Sequence, residues 1–159
     1  MLHLVYIIIF FLLVSIDRIT KHFAAIYLKQ GDIVLIPDVL SLHYLENRGA
    51  AWGIFQNAFW FFFVITLLVV AAMLYMYVKL PLKRKFHFFR FTIVLLLAGA
   101  VGNFIDRAAW RYVVDFIYVE WIDFPVFNVA DCFVSISAVL LAYCLIIKYK
   151  DDDIIWKKL

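Results

Sequence analysis

Two aspartates stand in surroundings that ordinarily exclude them: Asp115 within VVDFI, and Asp131 at the end of VFNVAD, directly ahead of a hydrophobic run. They belong to the stretch from Asp106 to Asp131, which also carries Glu120 and Asp123 and lies between two strongly apolar segments. A charge placed alone in lipid costs about 3 kcal/mol on insertion scales, so an acid buried there usually has a task and a partner. Two carboxyls held close together cannot both ionise readily; they share a proton, one serving as base and the other as acid. That is the chemistry of an aspartic peptidase. A plainer explanation competes with it, in which both are ordinary helix-end residues; for Asp131 this is a strong competitor, because Asp is a favoured N-cap.

The elements that must position these acids follow from composition. The chain has 159 residues, of which 67% are hydrophobic, against about 45–50% in an ordinary soluble domain. It reads as one integral membrane domain over residues 1–159. The 17 Phe, 9 Tyr and 5 Trp suit aromatic belts at the two interfaces. The net charge of +3 is too small and too dispersed for a nucleic-acid partner. Periodicity and hydropathy predict spans at about 2–27, 58–78, 91–106 and 131–147, the first of them an uncleaved segment. Apolar residues 2–16 cover only about 22 Å at 1.5 Å each, so Asp17 and Lys21 fall inside the far leaflet, and their i,i+4 spacing lets them pair.

Between the first two spans, 33–36 and 40–45 are short and β-leaning, which predicts a small sheet lying on the membrane. The fold expected is therefore a membrane protein, mainly α, with four transmembrane helices, a small β-sheet and a short helical or loop segment on the outer face. In the third span Gly99 and Gly102 thin the helix for a close neighbour, and Asn103 and Arg107 share one face. Cys132 and Cys144, both in the last span, are too far apart along one helix to pair. The four histidines are scattered, with no HExxH, so no metal site is expected.

Charge sets the orientation. Lys79, Lys83, Arg84, Lys85 and Arg90 form a short basic loop with no acid, which places it, and both termini, in the cytoplasm. Asp17, Lys21, Asn47, Asn103, Arg107, Asp115, Asn128 and Asp131 then fall on the outer side at similar depth.

Five pieces of the chain, DRITK (17–21), NRGAAWG (47–53), GAVGNFIDR (99–107), VVDF (113–116) and FNVAD (127–131), resemble in order and spacing the lipoprotein signal peptidase (signal peptidase II) family. The resemblance covers essentially the whole chain. It implies an aspartic endopeptidase of the bacterial inner (plasma) membrane that removes the signal peptide from diacylglyceryl-modified prolipoproteins, cutting before the lipidated cysteine. It implies Asp115 and Asp131 as the catalytic pair. Asp17, Lys21, Asn47, Gly49, Gly99, Asn103, Arg107 and Asn128 are implied as substrate-binding or dyad-supporting residues. Cofactors: none; partners: lipid-modified prolipoprotein substrates and membrane lipids, with the enzyme acting as a monomer. Two residues depart from the family pattern: Arg18 stands where Gln is common, and Cys132 where Ser often follows the aspartate.

Three other classes are weighed from the residues. An ion- or proton-coupled transporter also uses intramembrane Asp, Asn and Arg, but the chain has no internal repeat and its polar residues gather on one side. A structural subunit leaves the gathered acids unexplained. A serine/lysine peptidase would need one of Ser15, Ser41, Ser135 or Ser137 beside Lys21.

Overall fold

The protein is represented by a computed structural model that describes residues 2–49 and 58–149. Part of the NRGAAWG piece, residues 50–53, and the charged tail from residue 150 lie outside the described residues. Four helices are long and apolar enough to cross a membrane: α1 (Leu2–Tyr27), α2 (Phe59–Lys79), α3 (His87–Trp110) and α4 (Val129–Tyr143), the last prolonged by a π-turn over Cys144–Lys148. The fold is the expected mainly helical one with a small sheet.

The helices are inside-out relative to a soluble bundle. Leu4, Ile8, Phe11 and Leu12 of α1 and Trp60, Leu68 and Val78 of α2 are exposed, as they must be where the surrounding solvent is hydrocarbon. Polar residues are turned inward: Asp17, Lys21, Thr92, Asn103 and Asp106 are buried. The helix α3 is central and packs against α1, α2 and α4. Its glycines make that possible. A Cβ on Gly99 would stand 2.5 Å from the Ala130 carbonyl oxygen of α4, and one on Gly102 would stand 2.6 Å from Asp17 Oδ2 of α1. Helix-packing glycines were expected here; the close neighbours are α4 and α1.

Two spans differ from the expected bounds. α3 begins earlier and continues past 106 to Trp110, because Asp106 and Arg107 are satisfied inside the protein and need not leave the membrane zone. α4 begins at Val129, so Asp131 sits inside the first turn and Asn128 is the N-cap.

The sheet is also larger than the sequence suggested. β1 (Ile33–Ile36) and β2 (Leu40–Asn47) form the expected hairpin, but β3 (Val113–Val119) and β4 (Phe124–Phe127) extend it to four antiparallel strands in the order β1-β2-β3-β4. Arg111, in a left-handed conformation with φ 64°, ends α3 and turns the chain directly into β3. Val114 and Phe116 of β3 pack with Ala24 of α1 and with Leu28 just beyond its end. Asn47 pairs with Val113 across β2 and β3, and Leu45 pairs with Asp115. Asn47 therefore lies diagonally across from Asp115 on the same face of the sheet.

Candidate active site

Asp115 is carried by the third residue of β3 and Asp131 by the first turn of α4, and both open on one cavity of about 720 Å³. Asparagines hold each oxygen of the pair. Asn47 Nδ2 donates to Asp115 Oδ2 at 2.8 Å and Asn128 Nδ2 donates to Asp115 Oδ1 at 2.6 Å. Asn103 Nδ2 donates to Asp131 Oδ1 at 2.7 Å, and the Asn128 backbone N–H donates to Asp131 Oδ2 at 3.1 Å. Asn128 thus touches both aspartates. The Asp131 backbone N–H returns a bond to Asn128 Oδ1 at 3.0 Å, which completes a reciprocal capping box. Asp131 is thus a helix-end residue, at the third helical position and not the N-cap, which is Asn128; this role uses one carboxylate oxygen and leaves the other for Asn103.

Asp115 is almost wholly buried. Burial in the first place, and the nearby Asp131 carboxyl in the second, push its pKa from the usual carboxylate range up to about 7, against the opposing effect of the Asn47 and Asn128 hydrogen bonds. Desolvation disfavours the anion, and a second anion beside it does the same.

Behind the pair lies an ionic layer between α1 and α3. The buried Lys21 ammonium donates to Asn103 Oδ1 at 2.8 Å and is ion-paired with Asp106 Oδ2 (2.8 Å) and Asp17 Oδ2 (3.0 Å). The other Asp17 oxygen accepts the Ala130 backbone N–H at 3.0 Å, one residue before Asp131. Lys21 so fixes Asn103, whose amide nitrogen faces Asp131, and Asp17 fixes the start of α4. None of Lys21's partners is a hydroxyl, so the arrangement a serine/lysine peptidase requires is not formed by this lysine.

Asp106 was not expected among the site residues. It is wholly buried, takes Lys21 and Arg18 as ion-pair partners, and accepts the Val114 backbone N–H at 3.4 Å, next to Asp115. A signal did exist: Asp106 follows Asn103 by three residues, so both face one neighbour on α3. Arg18 also lies over the Trp110 ring, 5.1 Å from its centroid; the residue that departs from the family pattern pairs with Asp106, not with either of the two central aspartates.

Arg107 and Gly49 line the cavity with the acids, yet neither bonds to them. Arg107 donates to the Gly49 carbonyl at 3.4 Å and lies over Phe62, 4.7 Å from the ring centroid. The Gly49 N–H donates to Asn47 Oδ1 at 2.9 Å, which fixes the amide that meets Asp115. Gly99 has no polar role in the described residues; it lets α4 approach α3. Cys132 and Cys144 are free, Cys132 on the cavity wall and Cys144 buried. The rest of the cavity is mainly apolar, walled by Phe62 and Val69 of α2 and Val134 of α4, with Thr66 and Ser135 as its hydroxyl-bearing residues.

Four membrane-length helices, a sheet at one end and a polar, carboxylate-bearing cleft in an apolar wall define a multi-pass membrane protein built like an enzyme. Residues 9–147 match the family model of signal peptidase (SPase) II, and the chain belongs to that family of membrane peptidases. It is 37% identical over 143 residues to the lipoprotein signal peptidase of Streptococcus pyogenes serotype M5 (strain Manfredo), covering 89% of this chain and 91% of the relative. The serotype M3 protein (strain ATCC BAA-595 / MGAS315) is 36% identical over the same length. Two solved structures are similar as well. One is a bacterial membrane enzyme determined by the in meso method at 2.3 Å resolution, with a TM-score of 0.80, 35% identity and 92% of each chain covered. The other, determined by the same method at 1.9 Å, gives a TM-score of 0.77 and 36% identity over 91% of this chain and 94% of that one.

Proposed function

We propose that this protein is an intramembrane aspartic endopeptidase that removes the signal peptide from diacylglyceryl-modified prolipoproteins, cutting before the lipidated cysteine. The observation that carries the reading is that Asp115 and Asp131, brought from a strand and a helix, open on one cavity with Asn128 bonded to both. Family membership supports the substrate class, since the relatives are lipoprotein signal peptidases.

The roles follow from the surroundings. Asp115, whose proton is held up to about pH 7, serves as the acid. Asp131 lies in the first turn of α4, where the helix N-terminus favours negative charge, and serves as the base. Asp131 takes a proton from a water, the water oxygen attacks the scissile carbonyl carbon, and Asp115 donates its proton to the carbonyl oxygen. The tetrahedral diol then collapses: the C–N bond breaks and the leaving nitrogen receives the proton held by Asp131, while Asp115 recovers one from the diol. Asn47, Asn103 and Asn128 hold the two carboxyls in register, and Arg107, beside Gly49, lines the path of the peptide backbone. The apolar wall between α2 and α4 accepts the lipid-bearing side of the substrate.

The purified protein, in detergent with a chelator, is expected to cleave a lipidated prolipoprotein peptide ahead of its cysteine; an intact peptide, or cleavage elsewhere, would contradict the reading. The proposed enzyme is a monomer with its termini and Lys83 in the cytoplasm, and Tyr44 and Trp121 on the outer side. Cysteine-accessibility labelling in intact cells checks the topology, and labelling of position 83 from outside would overturn it.

A further inference from the structure

At the end of the bundle opposite the aspartates, a second groove runs between the start of α1 and the end of α2. It has a volume of about 270 Å³ and an apolar floor, with Ile7 and Phe10 of α1 facing Val94 and Leu97 of α3. Its rim is polar. His3 Nδ1 lies 3.0 Å from the Tyr77 hydroxyl, and the Tyr6 and Tyr77 rings meet edge to face at 6.1 Å.

Arg90 precedes Val94 by one helical turn and so continues the same face of α3; it does not itself line the groove, from which Tyr77 separates it. Its guanidinium carbon is 5.7 Å from the Tyr77 ring centroid, and the side chain is wholly buried. One nitrogen, Nη2, donates to the Leu80 carbonyl at 2.6 Å; Nε and Nη1 have no hydrogen-bond partner. Among the described residues no carboxylate forms an ion pair with Arg90. A buried guanidinium with two idle donors and no counter-charge among the described residues is an expensive arrangement. An oxyanion that offers two oxygens in a plane would match both donors at once.

We propose that this groove binds an acidic phospholipid, with an acyl chain on the apolar floor and the phosphate on Nε and Nη1 of Arg90. The floor is continuous with the lipid-facing surface of α1, so a chain enters sideways from the bilayer. Rotation of Tyr77 away from the guanidinium admits the phosphate, and the Tyr77 hydroxyl and His3 then become additional donors at the rim. The adjoining loop carries Lys79, Lys83, Arg84 and Lys85 with no acid; it favours a net negative headgroup and repels the ammonium of a zwitterionic one.

The test is the thermal unfolding midpoint of the whole protein in neutral detergent, read with added phosphatidylglycerol, phosphatidylcholine or inorganic phosphate. Phosphatidylglycerol should raise the midpoint saturably by about 3 °C or more, and the other two by less than about 1 °C. Arg90→Gln, with the basic loop intact, should abolish the phosphatidylglycerol shift. An equal shift from phosphatidylcholine, a full shift from inorganic phosphate alone, or a full phosphatidylglycerol shift in Arg90→Gln would overturn the proposal. Should Arg90→Gln fail to fold, the rim variant Tyr77→Phe with His3→Ala should lose at least half of the shift, and its retention in full would overturn the proposal equally.

Discussion

Two buried cations lie at opposite ends of the interface between α1 and α3, and they are treated differently. Lys21 meets two carboxylates, as ion pairs, and one amide oxygen. Arg90, equally buried, meets one backbone carbonyl. Burying a charge in a low-dielectric interior is offset only when its partners are complete. The Lys21 end is accordingly a charge-paired network that fixes Asn103 and the start of α4, and through them Asp131. The Arg90 end has no counter-charge among the described residues, which is why a ligand is proposed there. A charge-paired cluster serves as scaffold, whereas a buried cation without a counter-charge marks a place to bind.

Substitutions can break or sharpen this contrast, and their effects on stability should fall in the following order. Lys21→Met leaves Asp17 and Asp106 buried without their shared cation and should cost about 3–5 kcal/mol, read as a drop of roughly 10 °C in the unfolding midpoint. A loss below about 1 kcal/mol would show that the network is not what holds this end. Asp115→Asn should act in the opposite direction. Because the folded-state pKa is about 7 against an ordinary 3.8, the native protein holds a proton that the unfolded chain releases between those values. Wild-type stability should therefore fall as pH rises from about 4 to 7, then level off. Asp115→Asn lacks this penalty, so it should be more stable than wild type by about 4 kcal/mol at pH 8 and by little at pH 4; parallel profiles for the two proteins would contradict the raised pKa.

Gly102→Ala comes next, at about 1–3 kcal/mol, since its methyl would meet Asp17 Oδ2 at 2.6 Å; unfolding in detergent reads it, and no change would mean that α1 can move aside freely. The smallest effect is expected for Arg90→Gln in detergent free of anionic lipid, within about 1 kcal/mol of wild type or slightly stabilising. A loss as large as that of Lys21→Met would erase the contrast, because it would mean that Arg90 already has its counter-charge.

Much of this end of the molecule was legible in the chain. The pairing of Asp17 with Lys21 followed from helical spacing, the role of Gly99 and Gly102 from their size, and the convergence of Asn47, Asn103, Asn128 and the two aspartates from topology. The resemblance to signal peptidase II singled out the same residues. What escaped has identifiable causes. β3 was hidden because Asp115 interrupts its apolar run and because strands of seven and four residues carry little periodic signal. The identity of the N-cap could not be read, since Asn128 and Asp131 are both cap formers and only the backbone decides which of them stands first. Asp106 looked like a helix-end charge, because its ion-pair partners Arg18 and Lys21 come from a distant part of the chain. Arg90 was counted with the basic loop on charge alone; that its side chain turns inward depends on tertiary packing with Tyr77 and Leu80.

The central claim is that Asp115 and Asp131 act as one unit, and single-turnover cleavage of a lipidated prolipoprotein peptide tests it most directly. Four well-folded variants are compared: Asp115→Asn, Asp131→Asn, the double substitution and Asp123→Asn. Each single variant at the pair should lose about 10³-fold or more in rate, and the double variant little beyond that, because residues acting together are non-additive. Asp123, exposed and bonded to the Tyr118 hydroxyl at 2.6 Å, is the matched control and should leave cleavage near wild type. Near-normal cleavage by either single variant, or losses that multiply in the double one, would contradict the assignment.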